Sequence, residues 1–500
     1  MSRQNAGSSN SGGAVRVRFA PSPTGFLHVG NAKIALVNWL FVHHVGGTFI
    51  LRIEDTDVNR YTPGAVEVIF DSLRWLGLNW DEGPEVGGAH GPYFQSQRLA
   101  LYREKVQALL DQGKAYKCFC TPEELETERE RARQEKRAPR YGGKCRNLTT
   151  VQIEARKADP CGVRFEVPDG KTVFTDLVYG ETTFDNDEIG DFVILKADGT
   201  PTYHFAVVVD DIAMRISHVI RGQDHLSNTP KHVLLFKALG EPFPEFCHLP
   251  LILGQDGKPL SKRHGATNVP QFRDEGFLPE TMVNYLALLG WSPGDDREVL
   301  SVDELVNLFS LQALSKAAGV FNYKKLRWIN GQHIRRLNKD DFADRVRSVL
   351  EQHQFVSGEL TEEQKSWTSR LAEVCQEKIS VLSDIVPYSD FFFKPVTEYE
   401  EAGIKKHWAS AGVKDVLLKL TYKLNEVSPF LEPRIEAVCN EIVTQNGMKL
   451  GELIHPARLA LTGKTVGPGF YAVVELLGRE ESVKRLKSAV KYIEKRGTHE

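Results

Sequence analysis

Three short segments of this 500-residue chain gather the side-chain types that phosphate and carboxylate chemistry needs. The first is Phe26-Leu27-His28-Val29-Gly30-Asn31, which follows a turn, Pro21-Ser22-Pro23-Thr24-Gly25, and opens a stretch of helical periodicity. The start of a helix presents unpaired N–H groups and a positive dipole end, so it attracts anions. There His28 can donate to phosphate oxygens as charge builds on them, and Gly30, having no Cβ, leaves room beside an adenine. The second segment, Arg52-Ile53-Glu54-Asp55-Thr56-Asp57, places three carboxylates just past a strand-like run. Ligands of open α/β sheets bind at that end of a strand. A carboxylate there can hold an amino-acid ammonium, with helix capping by the acidic residues as the competing reading. The third, Gly257-Lys258-Pro259-Leu260-Ser261-Lys262-Arg263-His264-Gly265, is a glycine-bounded loop with three cations and a histidine. Cations over a reacting phosphate offset the charge that develops in the transition state. A solvated loop or a surface turn explains each segment taken alone. Their joint occurrence, in this order, is what carries weight.

Elements must position these residues. Val15 to Ala20 reads as a strand, Ala32 to His44 as a helix with Ile34, Leu36, Val37, Leu40 and Phe41 available for burial, and Thr48 to Ile53 as a second strand. Together they predict a βαβ unit with a Pro/Gly-rich crossover loop. Pro63 to Leu76 and Gln97 to Gln112 are helical in pattern, and short strands and turns follow between about Ala115 and Thr202. The charged run Glu123 to Lys136 reads as a solvated helix. Val207 to Val209 and Val219-Ile220 are two buried strand candidates, so the α/β fold is expected to resume after an insertion. From Gln271 onward helical periodicity dominates, in Thr281 to Leu289, Val302 to Phe309, Asp340 to Gln352, Glu362 to Ile385 and Val413 to Leu424.

Lys plus Arg number 63 against 66 Asp plus Glu, a net charge of −3, so any contact with a polyanion has to come from local basic patches. Residues 1–14 are small and polar and predict a disordered tail without a secretory signal. Nothing in the composition reads as membrane. Seven scattered cysteines do not make a disulfide framework, which points to a reducing, cytoplasmic compartment.

At this point the segments resemble a known family. Arg18 to Asn31 (RFAPSPTGFLHVGN), Arg52 to Asp57 (RIEDTD), Pro201 to Asp211 (PTYHFAVVVDD), His218 to Pro230 (HVIRGQDHLSNTP) and Leu260 to Gly265 (LSKRHG) are similar to the class I aminoacyl-tRNA synthetases, and within them to the bacterial-type glutamyl-tRNA synthetases. His28 to Asn31 resembles the family's first signature, and Pro259 to Arg263 sits where its lysine-containing second signature falls. The likeness is close from Val15 to about Arg336 and looser beyond.

The resemblance implies an α/β fold: a Rossmann-like core over residues 15–115 and 188–245, split by an acceptor-stem-binding insertion at 116–187. A stem-contact domain over 246–336 and an all-helical anticodon-binding region over 337–500 would follow. It implies attack of the glutamate carboxylate on the α-phosphate of ATP, with Mg2+, then transfer to the 3′ end of tRNA(Glu). Charging of tRNA(Gln) as well stays open, and a monomer is expected. Carried over residue by residue, Arg18, Ala20, Ser22, Glu54, Tyr203 and Arg221 match glutamate-binding positions. His28, Gly30, Asn31, Gly222, Asp224, Ile252, Ser261, Lys262 and Arg263 match ATP-binding positions, with His28, Gly30 and Lys262 in the catalytic set. On the same footing Arg18 and Tyr203 would meet the side-chain carboxylate, Arg221 the α-carboxylate and Glu54 the amine.

Three departures stand out. Pro259 takes the place of the second signature's first lysine, and Gln223 stands where an acidic residue is common. Cys118, Cys120 and Cys145 match three zinc ligands of some members, but Asn147 replaces the fourth; three sulfurs fall short of the four ligands a structural zinc wants, and only Cys161 could supply another. Zinc is therefore not expected. A glutaminyl-tRNA synthetase fits less well, since APSPTG and LSKR take the glutamyl form and the last third is helical rather than β-barrel. An adenylyltransferase acting on a small molecule leaves the helical region after Arg336 without a use.

Overall fold

The computed structural model describes residues 14–57, 62–136, 140–410 and 412–497, the side chains of Lys262 and Gly497 excepted. The expected N-terminal tail, Ala14 apart, lies outside the described residues. The chain divides into two compact units, Met1–Arg273 with Pro279–Tyr323, and Asp274–Leu278 with Lys324–Glu500.

In the first unit the strands that position the site are, in chain order, β1 (Arg16–Phe19), β2 (Thr48–Leu51), β3 (Ala115–Cys118), β4 (Gly162–Phe165), β5 (Lys171–Asp176), β6 (Gly180–Asp185), β7 (Phe192–Leu195), β8 (His218–Gly222) and β9 (Glu245–Leu249). Three helices serve them, α1 (Val29–Val45), α2 (Tyr203–Ala213) and α3 (Thr229–Ala238). β1 and β2 pair in parallel from Arg16↔Thr48 to Phe19↔Leu51, and three of four residues in each are buried. Such near-continuous burial is what a sheet covered on both faces requires. The crossover between them is α1, capped at its start by His28, whose Nδ1 accepts from Gly30 N–H at 3.1 Å. It ends at Gly46, whose φ of +72° is a left-handed value glycine adopts without steric cost.

Beyond β1, Ser217 N–H donates to Arg16 O at 2.9 Å and starts β8 alongside it. β8 and β9 pair in parallel from His218↔Glu245 to Gly222↔Leu249, which carries the core sheet past residue 245. β5 joins β9 in parallel at Asp176↔Phe246 and β6 closes that edge as a hairpin. The sequence leaves β1 for β2 on one side and returns as β8 on the other. Their carboxyl ends therefore flank a switch point of strand order, the place where open α/β sheets bind ligands. β3, β4 and β7 form a separate antiparallel sheet.

The run Val207 to Val209, read above as a strand, is helical and lies within α2. Phe205 to Asp211 are all buried, so the segment lacks the polar face that marks a surface helix. A short apolar run buried all round has no periodicity by which helix and strand can be told apart, and tertiary burial overrides the strand preference of valine. Val219 and Ile220 are in β8, as expected.

The second unit contains no strand among its described residues. Its helices include Lys339–Gln352, Glu362–Gln376, Ile385–Phe393, Val413–Glu426, Glu432–Asn446, Leu450–Thr462 and Phe470–Gly497, the last broken at Gly478. Leu417, Leu420, Leu424, Ile435, Cys439, Leu453 and Leu486 belong to one buried core. The single helix expected over Glu362 to Ile385 ends at Gln376; a 3-10 turn, Leu382–Asp384, then leads into a second helix, Ile385–Phe393. Asp384 accepts from the backbone N–H of Ser380 and Val381 at 2.9 and 3.0 Å, and this local capping begins a new helix.

Candidate active site

At the carboxyl ends of β1 and β2 a buried chain of alternating charge is assembled. Arg18 Nε and Nη2 donate to Asp211 at 3.1 and 3.4 Å, and Arg52 Nη1 reaches the same carboxylate at 2.7 Å. Arg52 Nη2 donates to Glu54 Oε1 at 3.1 Å. Asp210, beside Asp211 on α2, accepts from Arg98 Nε at 2.6 Å and from Gln95 and Tyr102 at 2.9 Å each. Burial pushes the Asp211 carboxyl up, but Arg18 and Arg52 outweigh it and hold the group below the usual range. For Glu54 burial wins over Arg52 and Arg18, and its carboxyl is raised. Of its neighbours in the same segment, Asp55 accepts from Ser96 N–H and Oγ–H at 2.8 and 2.6 Å, so Asp55 takes a capping role. Backbone bonds draw the two strand ends together: Arg52 N–H donates to Phe19 O and Glu54 N–H to Pro21 O, both at 3.0 Å. Ala20 is half-buried and Ser22 exposed along this rim.

Arg221, at the end of β8, is buried too, but its shell is different. Its Nε donates to His248 Nε2 at 3.1 Å, Nη1 meets His232 Nδ1 at 3.2 Å, and Nη2 donates to Thr229 Oγ1 at 2.8 Å and to His225 O at 3.3 Å. Every one of these acceptors is neutral, and no carboxylate lies within 4 Å of the guanidinium among the described residues. Burial lowers its pKa, as expected of a cation without a counter-ion. Tyr203, the first residue of α2, pairs its hydroxyl with His225 Nδ1 at 3.0 Å, and burial pushes its pKa up to about 12. Burial, helped by Arg221, depresses His225 to about 4, and burial, helped by Lys231 and Arg221, depresses His204 to about 3, so both imidazoles are neutral near pH 7.

Next to this pocket is a cavity of about 310 Å³ lined by His28, Gly30, Asn31, Lys33, Ile34, Gly222, Asp224 and the segment Leu249–Ile252, with Pro259 and Leu260. It thus joins the first signature, the end of β8 and the start of the basic loop. A Cβ at Gly222 would meet the Asp224 carboxylate, which would have to turn aside. Lys33 was not anticipated. It is 3% exposed, its polar contact among the described residues is Pro250 O at 3.4 Å, and burial lowers its pKa from 10.5 to about 8.

The basic loop closes on itself. Leu260 N–H donates to Ile252 O at 2.9 Å and Gly254 N–H to Lys258 O at 2.8 Å, so the residue between, Pro259, needs no N–H and is tolerated. His264 Nδ1 accepts from Ser261 N–H at 3.0 Å, and Arg263 Nη2 pairs with Asp256 at 3.2 Å. Lys262 begins the short 3-10 turn Lys262–His264; its side chain lies outside the described residues. Gln223, which stands where an acidic residue is common, accepts from the Tyr179 hydroxyl at 2.6 Å.

In the insertion, Cys118, Cys120 and Cys145 offer three sulfurs within 4.8 Å of one another. Asn147 is not among them. The Tyr141 hydroxyl is, 3.6 Å from both Cys118 and Cys120 Sγ, and Arg164 Nε lies 3.2 Å from Cys118 Sγ. Three thiols and a phenol supply four donors, though the phenol is outside the Cys and His set that structural zinc prefers.

A model of the class I tRNA synthetases (E and Q), catalytic domain, matches residues 14–328, and an anticodon binding domain matches 341–490. The fold, the switch-point site and these matches define a class I aminoacyl-tRNA synthetase. Glutamate–tRNA ligases of Desulforudis audaxviator and Geobacter sulfurreducens are 46% and 45% identical to the chain, over 96% of it and 97% and 99% of their own lengths. The crystal structure of a glutamate tRNA ligase from Elizabethkingia meningosepticum in complex with its amino acid matches with a TM-score of 0.88 at 34% identity, covering 96% of this chain and all of that one. The chain belongs to the glutamate–tRNA ligase family.

Of the residues the structure brings together here, Asp211, His248, Asp176 and Lys33 were missed from sequence. A doublet of acidic residues inside the apolar run FAVVVDDIA was a usable signal for buried ion pairing. The pairing of His248 with Asp176, 72 positions away, had no local signal.

Proposed function

We propose that this chain condenses L-glutamate with ATP to glutamyl-adenylate and transfers the glutamyl group to the 3′ end of tRNA(Glu). In the first step a glutamate α-carboxylate oxygen attacks the α-phosphorus, the bond to the bridging oxygen breaks, and pyrophosphate leaves with the electron pair. In the second a terminal hydroxyl of tRNA attacks the acyl carbon and AMP leaves. The single observation that carries the reading is Arg221, a buried cation whose partners in the protein are all neutral. A charge so placed is costly until an anion joins it. Arg221 is assigned the α-carboxylate, Arg18 with Tyr203 the side-chain carboxylate, and Glu54 the ammonium. Ala20 and Ser22 line the approach.

The cavity at His28, Gly30 and Asn31 is assigned to ATP, with Ile252 beside the adenine and Gly222 and Asp224 near the ribose. Ser261, Lys262 and Arg263 cover the phosphates. Mg2+ accompanies the nucleotide and offsets phosphate charge; no protein ligand is assigned to it. Positioning and charge stabilisation then account for the catalysis. The acceptor end of tRNA is assigned to the insertion at 116–187, the stem to 246–336 and the anticodon to 337–500. Seven free thiols agree with a reducing cytoplasm, and no described helix is long and apolar enough to cross a membrane. The enzyme is taken to act as a monomer.

Exchange of labelled pyrophosphate into ATP, with each amino acid in turn and with tRNA present, tests the first step. Exchange with glutamate and not with glutamine or aspartate is the expected result; exchange favouring another amino acid refutes the assignment. Charging assays on purified tRNA(Glu) and tRNA(Gln) decide whether the second tRNA is also a substrate.

A further inference from the structure

Arg221 can only donate hydrogen bonds, and this fixes the state of everything it touches. His248 Nε2, 3.1 Å from Arg221 Nε, must carry a lone pair, so the proton of that imidazole sits on Nδ1. Nδ1 lies 2.6 Å from Asp176 Oδ2, which accepts it. Asp176 also accepts from the backbone N–H of His248 at 3.1 Å, and of Val178 and Tyr179 at 2.9 Å each. Four donors thus converge on one carboxylate and fix its position. Both side chains of the pair are fully buried. On the other side His232 Nδ1 must accept from Arg221 Nη1, so its Nε2 carries the proton and donates to His204 Nδ1 at 3.2 Å.

Of the five N–H groups of the Arg221 guanidinium, Nε–H goes to His248, both on Nη2 go to Thr229 Oγ1 and His225 O, and one on Nη1 goes to His232. A single N–H on Nη1 is left without an acceptor among the described residues. Its direction is set by the plane of the guanidinium, which these four bonds hold, the one at Nε going to His248. Asp176 reaches this point from β5, and its carboxylate is close enough to orient the imidazole yet does not touch Arg221 and neutralise it.

We propose that His248 and Asp176 are positioning residues for the amino-acid substrate: Asp176 locks the tautomer of His248, and His248 holds Arg221 so that its free N–H faces the substrate carboxylate. The proposal rests on the reading that Arg221 receives that carboxylate. Its test is steady-state pyrophosphate exchange, with KM for glutamate and for ATP measured separately, on Arg221→Gln, His248→Leu, His248→Gln and Asp176→Asn, each with its melting temperature.

Arg221→Gln is the control for the site itself: if it leaves KM for glutamate unchanged, the site reading fails rather than this one. Given a responsive Arg221, His248→Leu is expected to raise KM for glutamate about 10- to 100-fold, with KM for ATP within about twofold of wild type. His248→Gln, whose Oε1 can accept from Arg221 Nε–H, is expected to recover most of the loss. Asp176→Asn, nearly isosteric, is expected to raise KM for glutamate about tenfold by freeing the imidazole to take the other tautomer, and it carries the test if the leucine variant does not fold. An unchanged KM for glutamate in both His248→Leu and Asp176→Asn overturns the proposal. So does a parallel rise of both KM values, or a glutamine variant no better than leucine, since either shows a general loss of structure.

Discussion

Arg18 and Arg221 are both buried arginines, yet only Arg18 has a carboxylate partner in the protein, Asp211. The consequence for substitution differs. Arg18→Gln removes one member of the chain Arg18, Asp211, Arg52, Glu54 and takes away the planar fork that suits a carboxylate. Breaking a buried pair costs about 3–5 kcal/mol, so kcat/KM for glutamate should fall by roughly a hundred- to several-thousandfold. Glutamine has no side-chain charge to strand and should suffer less. Steady-state activation with both amino acids checks this; an equal, small change for each removes Arg18 from specificity. Lys33 gives a second residue-level prediction. Its folded pKa is near 8 against the usual 10.5, so between those pH values the unfolded chain binds more protons, and stability contributed by this site rises with pH across that window. Below about pH 8 the buried charge is fully destabilising. Lys33→Met should therefore be more stable at pH 7, by the order of 1–3 kcal/mol, and should lose the rise in stability between pH 8 and 10.5. Denaturant titrations across that range test it, and an unchanged profile rejects the assignment of a strained lysine. KM for ATP should rise in the same variant, because Lys33 helps to hold Pro250 at the cavity wall. In the sequence Glu54 is a candidate because it stands in an acidic cluster just past a strand-like run, whereas Arg18 and Arg221 are candidates only through the family resemblance. Asp176 and Lys33 stay hidden because what makes them functional is the burial and the distant partner, neither of which a local pattern encodes.

Elements were legible to the extent that their two faces differ. α1 and the strands beside it could be predicted because a turn, a glycine stop and apolar spacing agree. α2 could not, because burial on all sides erased its periodicity. The end of the helix at Gln376 was equally invisible, since the turn that follows, in which Asp384 bonds to the backbone of Ser380 and Val381, leaves the apolar pattern intact. The basic loop is a hairpin from Ile252 to Leu260 followed by the turn at Lys262, which leaves Pro259 without a required N–H and Lys262 on the segment just beyond. Lys262→Ala should lower glutamate activation about a hundredfold or more while tRNA affinity changes little. Near-normal adenylate formation in that variant would take the loop out of the mechanism.

For the molecule as a whole, a net charge of −3 leaves RNA affinity to local surfaces, and of the two units one holds the cavity at His28 and Gly222 while the other contains the residues that match an anticodon-binding domain. Because each unit has its own buried core, removal of everything after Tyr323 should leave a folded first unit. Its charging of different tRNAs should become less selective, which parallel aminoacylation of a tRNA panel measures; unchanged selectivity would move anticodon reading elsewhere. The central claim is tested most directly by incubating the purified full-length chain with ATP, labelled glutamate and purified tRNA(Glu), and counting acid-precipitable label. The account predicts glutamate on the tRNA, dependent on ATP and lost in Arg221→Gln; no charging by a folded, full-length protein, or equal charging with labelled glutamine, would contradict it.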